Sequence, residues 1–254
     1  MENPTLDLIH CHASVRHYKP DPVPASMIQM IVAAGQHAST SSNMQLYSVV
    51  AVTDGAKRAR LAELCGDQEH VREAPVFLTW CADLARMQQI CQMRGYAQVT
   101  EYLENFLVAA VDVALVAQNA ALAAESLGLG ICYIGYIRNI PLQVIELLGL
   151  PPLVFPVTGM TVGWPAKPPH LRPRLPLEAV LNWETYKPTK NETLLSYDQV
   201  MRATGIYKGR QVPVPGKPET MEDYGWLEHS ARRASAAERT DLRAALERQG
   251  FALK

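Results

Sequence analysis

Between residues 106 and 135 the chain reads FLVAAVDVALVAQNAALAAESLGLGICYIG, with apolar side chains on nearly every side of any helix drawn through it. Ala, Leu, Gln and Glu are strong helix formers. The pattern predicts one long helix, closed by Gly128 in a left-handed cap after Leu127. A compact apolar run of strand type follows at 131–134. A helix that is apolar all round is expected to be buried all round, and its alanines let neighbouring backbones come close. Asp112, Gln118, Asn119 and Glu125 interrupt the run before it reaches the ~20 residues a bilayer span needs. A buried helix, shared with a partner subunit, is therefore expected rather than a membrane span.

The rest of the chain alternates strand and helix patterns. A short helix is predicted over 5–11 with Thr5 as N-cap, and a second over 27–37 capped by Ser26. Residues 47–53 (YSVVAVT) and 75–82 (PVFLTWCA) read as strands, with an amphipathic helix over 56–65 between them. Helices are expected over 84–93 and 140–148, and a strand over 155–163. Residues 165–176 (PAKPPHLRPRLP) are proline-rich and basic, and read as stiff and extended. Residues 186–220 read as irregular. A final helical pair is expected over about 220–233 and 236–249, with Ser235 and Glu238 as a capping box and Gly250 just past its end. Strands separated by helices fit an α+β layer arrangement. The expected organisation is a core over 1–185 and a C-terminal extension over 186–254 that packs on the core and on a partner.

Composition narrows the class. The 254 residues are 48% hydrophobic and 19% charged, which is globular. A net charge of −1 argues against a general nucleic-acid binder. The N-terminus carries Glu2 and Asp7 with no apolar signal segment. Cys11, Cys65, Cys81, Cys91 and Cys132 are scattered, with no C-x-x-C pair. No zinc site or disulfide framework is expected, and a cytoplasmic location fits.

Strong catalytic motifs are absent: there is no G-x-G-x-x-G after a strand, no P-loop, no H-E-x-x-H and no G-x-S-x-G. The His10/His12 pair has no evident third ligand, so no metal is expected. Three basic clusters remain: His12 and Arg16 backed by Ser14, Arg172 with Arg174, and Lys208 with Arg210. Any one of them alone reads as solvated surface charge. Each, however, lies in a non-helical stretch near prolines, hydroxyls or glycines, which is the setting of an anion site. Arg172 and Arg174 are spaced i, i+2 in an extended segment and so point the same way.

Taken in order, these stretches resemble the nitroreductase superfamily, and within it the oxygen-insensitive NADPH nitroreductases and flavin reductases. The resemblance is carried by H-x-S-V-R-H-Y at 12–18, S-T-S-S at 39–42 and G-x-Q-x-H at 66–70. It continues through VDVALVAQNAALAAESLGLG at 111–130, Y-I-G at 133–135, I-R-N at 137–139, VGWP at 162–165 and LRPRLP at 171–176. It implies an α+β fold with a mixed sheet flanked by helices, and a homodimer with FMN at the subunit interface. Arg16 and Arg174 would hold the FMN phosphate, with His12 and Ser14 adding contacts. Thr40, Ser41 and Ser42 would lie along the flavin and ribityl chain. Gln68 would bond the ribityl or ring edge. Ile134 and Gly135 would offer backbone N–H groups to the N5/O4 edge, and Arg172 would sit near N1/O2. A fixed cation there stabilises the reduced flavin. Hydride reaches and leaves N5 directly, so no catalytic side chain is implied. NADPH, or NADH, would be the donor, and nitroaromatics, quinones or free flavin the acceptors.

The sequence departs from the family pattern in places. Ala13 stands where the family carries Arg, which removes a charge-assisted bond of ~1.5–3 kcal/mol and weakens FMN binding ~10–100-fold. Tyr136 replaces a second Gly, Asn43 replaces an apolar or aromatic residue, and Arg172 replaces Lys. Asn43 and Tyr136 are the candidate acceptor-binding positions. Lys208 and Arg210 are the candidate grip on the NADPH 2′-phosphate. The reshaped pocket also fits a flavin-fragmenting or dehalogenating member. Ala13 and the divergent 203–216 loop fit a non-catalytic flavin binder.

Overall fold

The computed structural model describes residues 3–254. They form two compact units, one from the chain up to Leu171 together with Arg239–Lys254, the other from Arg172–Glu238. The first unit contains α1 (Pro4–His10), α2 (Ala25–Gln36), β1 (Tyr47–Val52), α3 (Gly55–Leu64), α4 (Glu69–Glu73), β2 (Val76–Asp83), α5 (Ala85–Arg94), α6 (Leu103–Ser126), β3 (Gly130–Ile134), α7 (Pro141–Leu148) and β4 (Val154–Gly163). The second contains α8 (Asn191–Ala203), β5 (Gln211–Val214), β6 (Lys217–Asp223) and α9 (Trp226–Ser235), after which α10 (Leu242–Arg248) returns to the first.

The expected α+β class holds. The four-stranded sheet runs β1-β2-β4-β3, with every pairing antiparallel. Strand β2 is buried along its whole length, and its alternation sorts the core. Val76, Leu78 and Trp80 pack with Ile31 of α2 and with Val113, Val116 and Ala120 of α6. Phe77 packs instead with Leu61 of α3, Val71 of α4 and Val144 of α7. Each face of the sheet is thus covered by helices, as period-two alternation requires. A third cluster joins Phe106, Phe155 and Phe251 edge-to-face, with centroids 5.6–6.4 Å apart. This places α10 and the segment after it in the first unit.

Gly159 of β4 lies against the tip of the Phe77 ring, and a Cβ there would come 2.3 Å from its Cζ. Phe77 is fully buried and has nowhere to move. Gly159→Ala is expected to cost about 3 kcal/mol of stability, the upper end for overpacking a core. Denaturant unfolding with an unchanged slope and a lower midpoint would show it; an unchanged midpoint would contradict the packing.

Several local expectations are corrected. Helix α1 is capped by Asn3, not Thr5: Asn3 Oδ1 accepts from the Thr5 and Leu6 N–H groups at 3.1 and 3.2 Å, and Pro4 takes the first helical position. Helix α2 starts at Ala25 behind Pro24 without a side-chain cap, so Ser26 does not cap it. The stretch expected to be irregular holds α8 and the β5–β6 hairpin. Helix α8 buries Tyr197 and Met201, spaced i, i+4, on one face, and the hairpin turns at Gly216, φ 78°. Pro213 is tolerated because both strands are edges. The Ser235/Glu238 box does not form. Ser235 closes α9 with its Oγ donating to the Arg232 carbonyl, Arg239 has φ 53°, and α10 begins only at Leu242.

Helix α6 departs from all-round burial. Ala109, Asp112, Val113, Val116, Ala117, Ala120, Ala121 and Ala124 are buried. Leu103, Leu107, Val111 and Leu115 are 53%, 53%, 49% and 44% exposed. At i, i+4 spacing they form one apolar stripe along the opposite face. The helix is long and apolar enough to cross a membrane by length and composition. Its inner face is spent on the sheet and on α2. Its end is as predicted, with Gly128 at φ 81° and the Leu129 N–H donating back to Ala124 O at 3.0 Å.

Candidate active site

Segment 12–18 lies along β3. The Val15 N–H donates to Ile131 O at 2.8 Å. The buried Tyr18 hydroxyl donates to Val15 O and lies 2.8 Å from Thr161 Oγ1. Ala13, Val15 and Tyr18 therefore point inward, and Ser14 and Arg16 point out together on one face. Both lie against the Cys132 thiol: burial pushes that thiol up, while the Arg16 guanidinium and hydrogen bonds from Ser14 and Arg16 pull it back. No carboxylate pairs with Arg16 among the described residues.

His70 of the G-x-Q-x-H stretch meets the same cluster. Burial, then Arg16, then His17 hold its imidazole below the usual histidine range, and its buried Nε2 has no partner. An unmatched guanidinium, an outward hydroxyl and an orphaned imidazole nitrogen are what a phosphate monoester would satisfy. The residues present thus fit the anionic end of FMN.

His12 turns toward α6, its Nδ1 2.6 Å from Glu125 Oε1. The second Glu125 oxygen and the Tyr133 hydroxyl are buried without partners. No group of three or more metal-ligating side chains occurs among the described residues. Gln68 donates from Nε2 to Cys65 O at 2.5 Å, so its amide nitrogen is engaged within its own turn. The Tyr136 ring covers Gly66, where a Cβ would come 2.9 Å from the ring, and φ at Gly66 is 82°. The 66–68 turn and the end of β3 are thereby joined. At Gly135, after the buried Ile134, the guanidiniums of Arg138 and Arg239 come within 3.5 and 3.9 Å of a built Cβ. Burial, then Arg239, holds Arg138 below the usual arginine range. The end of β3 is therefore flanked by two guanidiniums.

Thr40, Ser41, Ser42 and Asn43 lie elsewhere on the first unit. Their loop is fixed to α6 at Asp112, whose two oxygens accept the Ser41 and Leu46 N–H groups at 3.0 and 3.1 Å. Asp112 and Glu125 are thirteen residues apart on α6, a rise of roughly 20 Å. In one chain, segments 12–16, 66–70 and 132–136 converge, and 40–43 is anchored well along the helix from them.

In the second unit Arg172 and Arg174 are both exposed, and Arg174 donates to Arg172 O at 3.0 Å. Lys208 and Arg210 follow the Gly205 turn, with the Arg210 guanidinium 5.9 Å from the Tyr224 ring centroid. Tyr207, Tyr224 and His229 meet beside it in edge-on and tilted contacts, with ring centroids 5.4–6.2 Å apart. No carboxylate pairs with these four cations among the described residues.

Residue patterns alone did not mark Asp112, Glu125, His70, Arg138 or Arg239 as site residues. For the first two a signal existed, since a carboxylate inside an apolar helix face needs a partner.

The nitroreductase family model matches residues 11–164, and the model of that family's C-terminal domain matches residues 172–254. The oxygen-insensitive NADPH nitroreductase of Salmonella typhimurium is 38% identical over 254 residues, 99% of this chain and 100% of that protein. The FMN reductase (NADPH) of Bacillus subtilis is 41% identical over 205 residues, 78% of this chain and 82% of that protein. Among solved structures, the NADPH:FMN oxidoreductase from Vibrio harveyi complexed with NAD+ superposes with a TM-score of 0.87 at 35% identity, covering 99% of this chain and 100% of that one.

Proposed function

Since this chain belongs to the nitroreductase family and is an oxidoreductase of its NAD(P)H-dependent flavin- and nitro-reducing kind, we propose that it works with FMN held between two copies of itself. The acceptors are nitroaromatics, quinones or free flavin, and the setting is the cytoplasm. The observation that carries the reading is the outward face shared by Ser14 and Arg16, which pairs with no carboxylate among the described residues. Arg16 and Arg174 would bind the phosphate, with His12 and Ser14 beside them. Bound there, FMN would supply two-electron hydride chemistry between a nicotinamide and the acceptor.

The chain's own residues bind and orient. Gly135, lacking a side chain, leaves its backbone open to the ring edge. Arg138 and Arg239 add positive potential beside it, and Arg172 adds charge at the pyrimidine side. Tyr136, 41% exposed and seated on Gly66, gives the acceptor a flat surface to stack on, and Asn43 adds a polar contact. Two features favour a second copy completing the site. The 40–43 loop is fixed roughly 20 Å along α6 from the His12 anchor, and α6 carries an uncovered apolar stripe. Lys208 and Arg210 would grip the 2′-phosphate of NADPH, the charge that NADH lacks.

An anaerobic absorbance spectrum of the FMN-loaded protein tests the reading. The flavin bands should bleach with NADPH, bleach with NADH only at higher concentration, and return on adding a quinone. A bound flavin that neither nicotinamide reduces would overturn it in favour of a non-catalytic flavin binder.

A further inference from the structure

The loop between α2 and β1 is bent in a way its sequence disfavours. Ser42, Asn43 and Gln45 all have left-handed backbones, with φ 49°, 55° and 55°, and none of them is glycine. L side chains resist that region, so the loop holds this shape only if its surroundings over-determine it. Two charged groups do so. Arg86 donates from Nη1 to Gln45 O at 2.9 Å and from Nη2 to Ser48 Oγ at 2.9 Å. Asp112, 1% exposed inside the apolar face of α6, accepts the Ser41 and Leu46 N–H groups on separate oxygens.

These two amides flank the bent residues, so one carboxylate pins both ends of the loop to the central helix. The choice of Asp is informative. A buried carboxylate is tolerated only when fully hydrogen-bonded. Asn, of nearly equal volume, offers one acceptor oxygen and would turn its NH2 donors on the second N–H.

We infer that Asp112 is a positioning residue. Through the Ser41 and Leu46 amides it sets the left-handed geometry that presents Thr40, Ser41 and Ser42 to the flavin of the neighbouring copy. This rests on the reading that the 40–42 stretch lines FMN. The role differs from that of a packing residue: removing it should loosen one loop and weaken one ligand while leaving the fold standing.

The test compares wild type with Asp112→Asn as full-length dimers. FMN dissociation constants are measured by flavin fluorescence quenching on apoprotein, and hydrogen exchange is followed peptide by peptide. The expected result is an FMN dissociation constant at least ~10-fold higher, about 1.4 kcal/mol. Exchange over 40–46 should be at least ~10-fold faster, with β2 as protected as in wild type. If Asp112→Asn fails to fold, Asp112→Glu, which keeps the charge but displaces it by one methylene, should give the same pair of changes. An FMN dissociation constant within twofold of wild type, or exchange over 40–46 that rises no more than that of β2, would overturn the inference. Wild-type protein that binds no FMN would instead overturn the cofactor reading, and exchange over 40–46 would then decide the role of Asp112 by itself.

Discussion

On the proposed arrangement, with FMN between two copies, Val111→Asp is expected to leave the protein monomeric at micromolar concentration and without flavin. Val111 is 49% exposed in the single chain, in line with Leu103, Leu107 and Leu115. As the stripe runs along the longest helix, a partner covering it would bury all four side chains. An unpaired carboxylate at the centre of that contact loses its hydration and gains nothing in return, a penalty of several kcal/mol. About 4 kcal/mol corresponds to a roughly thousand-fold weaker association. In the isolated chain the same change is at a half-exposed helix position and should leave stability within about 0.5 kcal/mol. Light scattering over a dilution series separates the two effects. A variant that dimerises as tightly as wild type would place the subunit contact elsewhere.

Replacing Arg16 with Ala is expected to raise the FMN dissociation constant about 10–100-fold, and the pair Arg16→Ala with Arg174→Ala by more than about a thousand-fold. Each guanidinium is exposed and pairs with no carboxylate among the described residues, so removing it leaves no anion of theirs unpaired. Charge-assisted bonds to a phosphate are each worth ~1.5–3 kcal/mol. The loss should shrink for riboflavin, which lacks the phosphate. Equal losses for FMN and riboflavin would mean that Arg16 supports the fold of the segment and not the phosphate.

Much of this was legible in the residues. The long helix, its glycine stop and the four strands followed from apolar spacing, and the ordered motifs pointed to the family. The failures have local causes. Apolarity on all sides of α6 signalled burial, but a single chain buries one face and leaves the other for something outside it. Residues 186–220 read as irregular because Pro213 and Gly216 mask a hairpin that needs them. The capping box at Ser235 obeyed its local pattern, but the chain passes through a left-handed Arg239 before it can start a helix. Asp112 was visible only as a polar interruption. Its partners are backbone amides some 70 residues away in sequence, a relation that no periodicity encodes.

The first unit is built from both sides of the second, and this has a bearing on biosynthesis. Phe251 sits between Phe106 and Phe155, the Leu153 N–H donates to Gln249 O at 2.7 Å, and the Lys254 N–H donates to Glu101 O at 2.8 Å. A nascent chain that has emitted the sheet still lacks the wedge that closes this aromatic cluster. The larger unit must wait, partly open, while the ribosome adds the whole smaller unit and then residues 242–254. The smaller unit has its own core around Tyr197, Met201 and Tyr207 and can settle during that interval. Chaperone demand should therefore fall on the larger unit and end only when Phe251 leaves the exit tunnel.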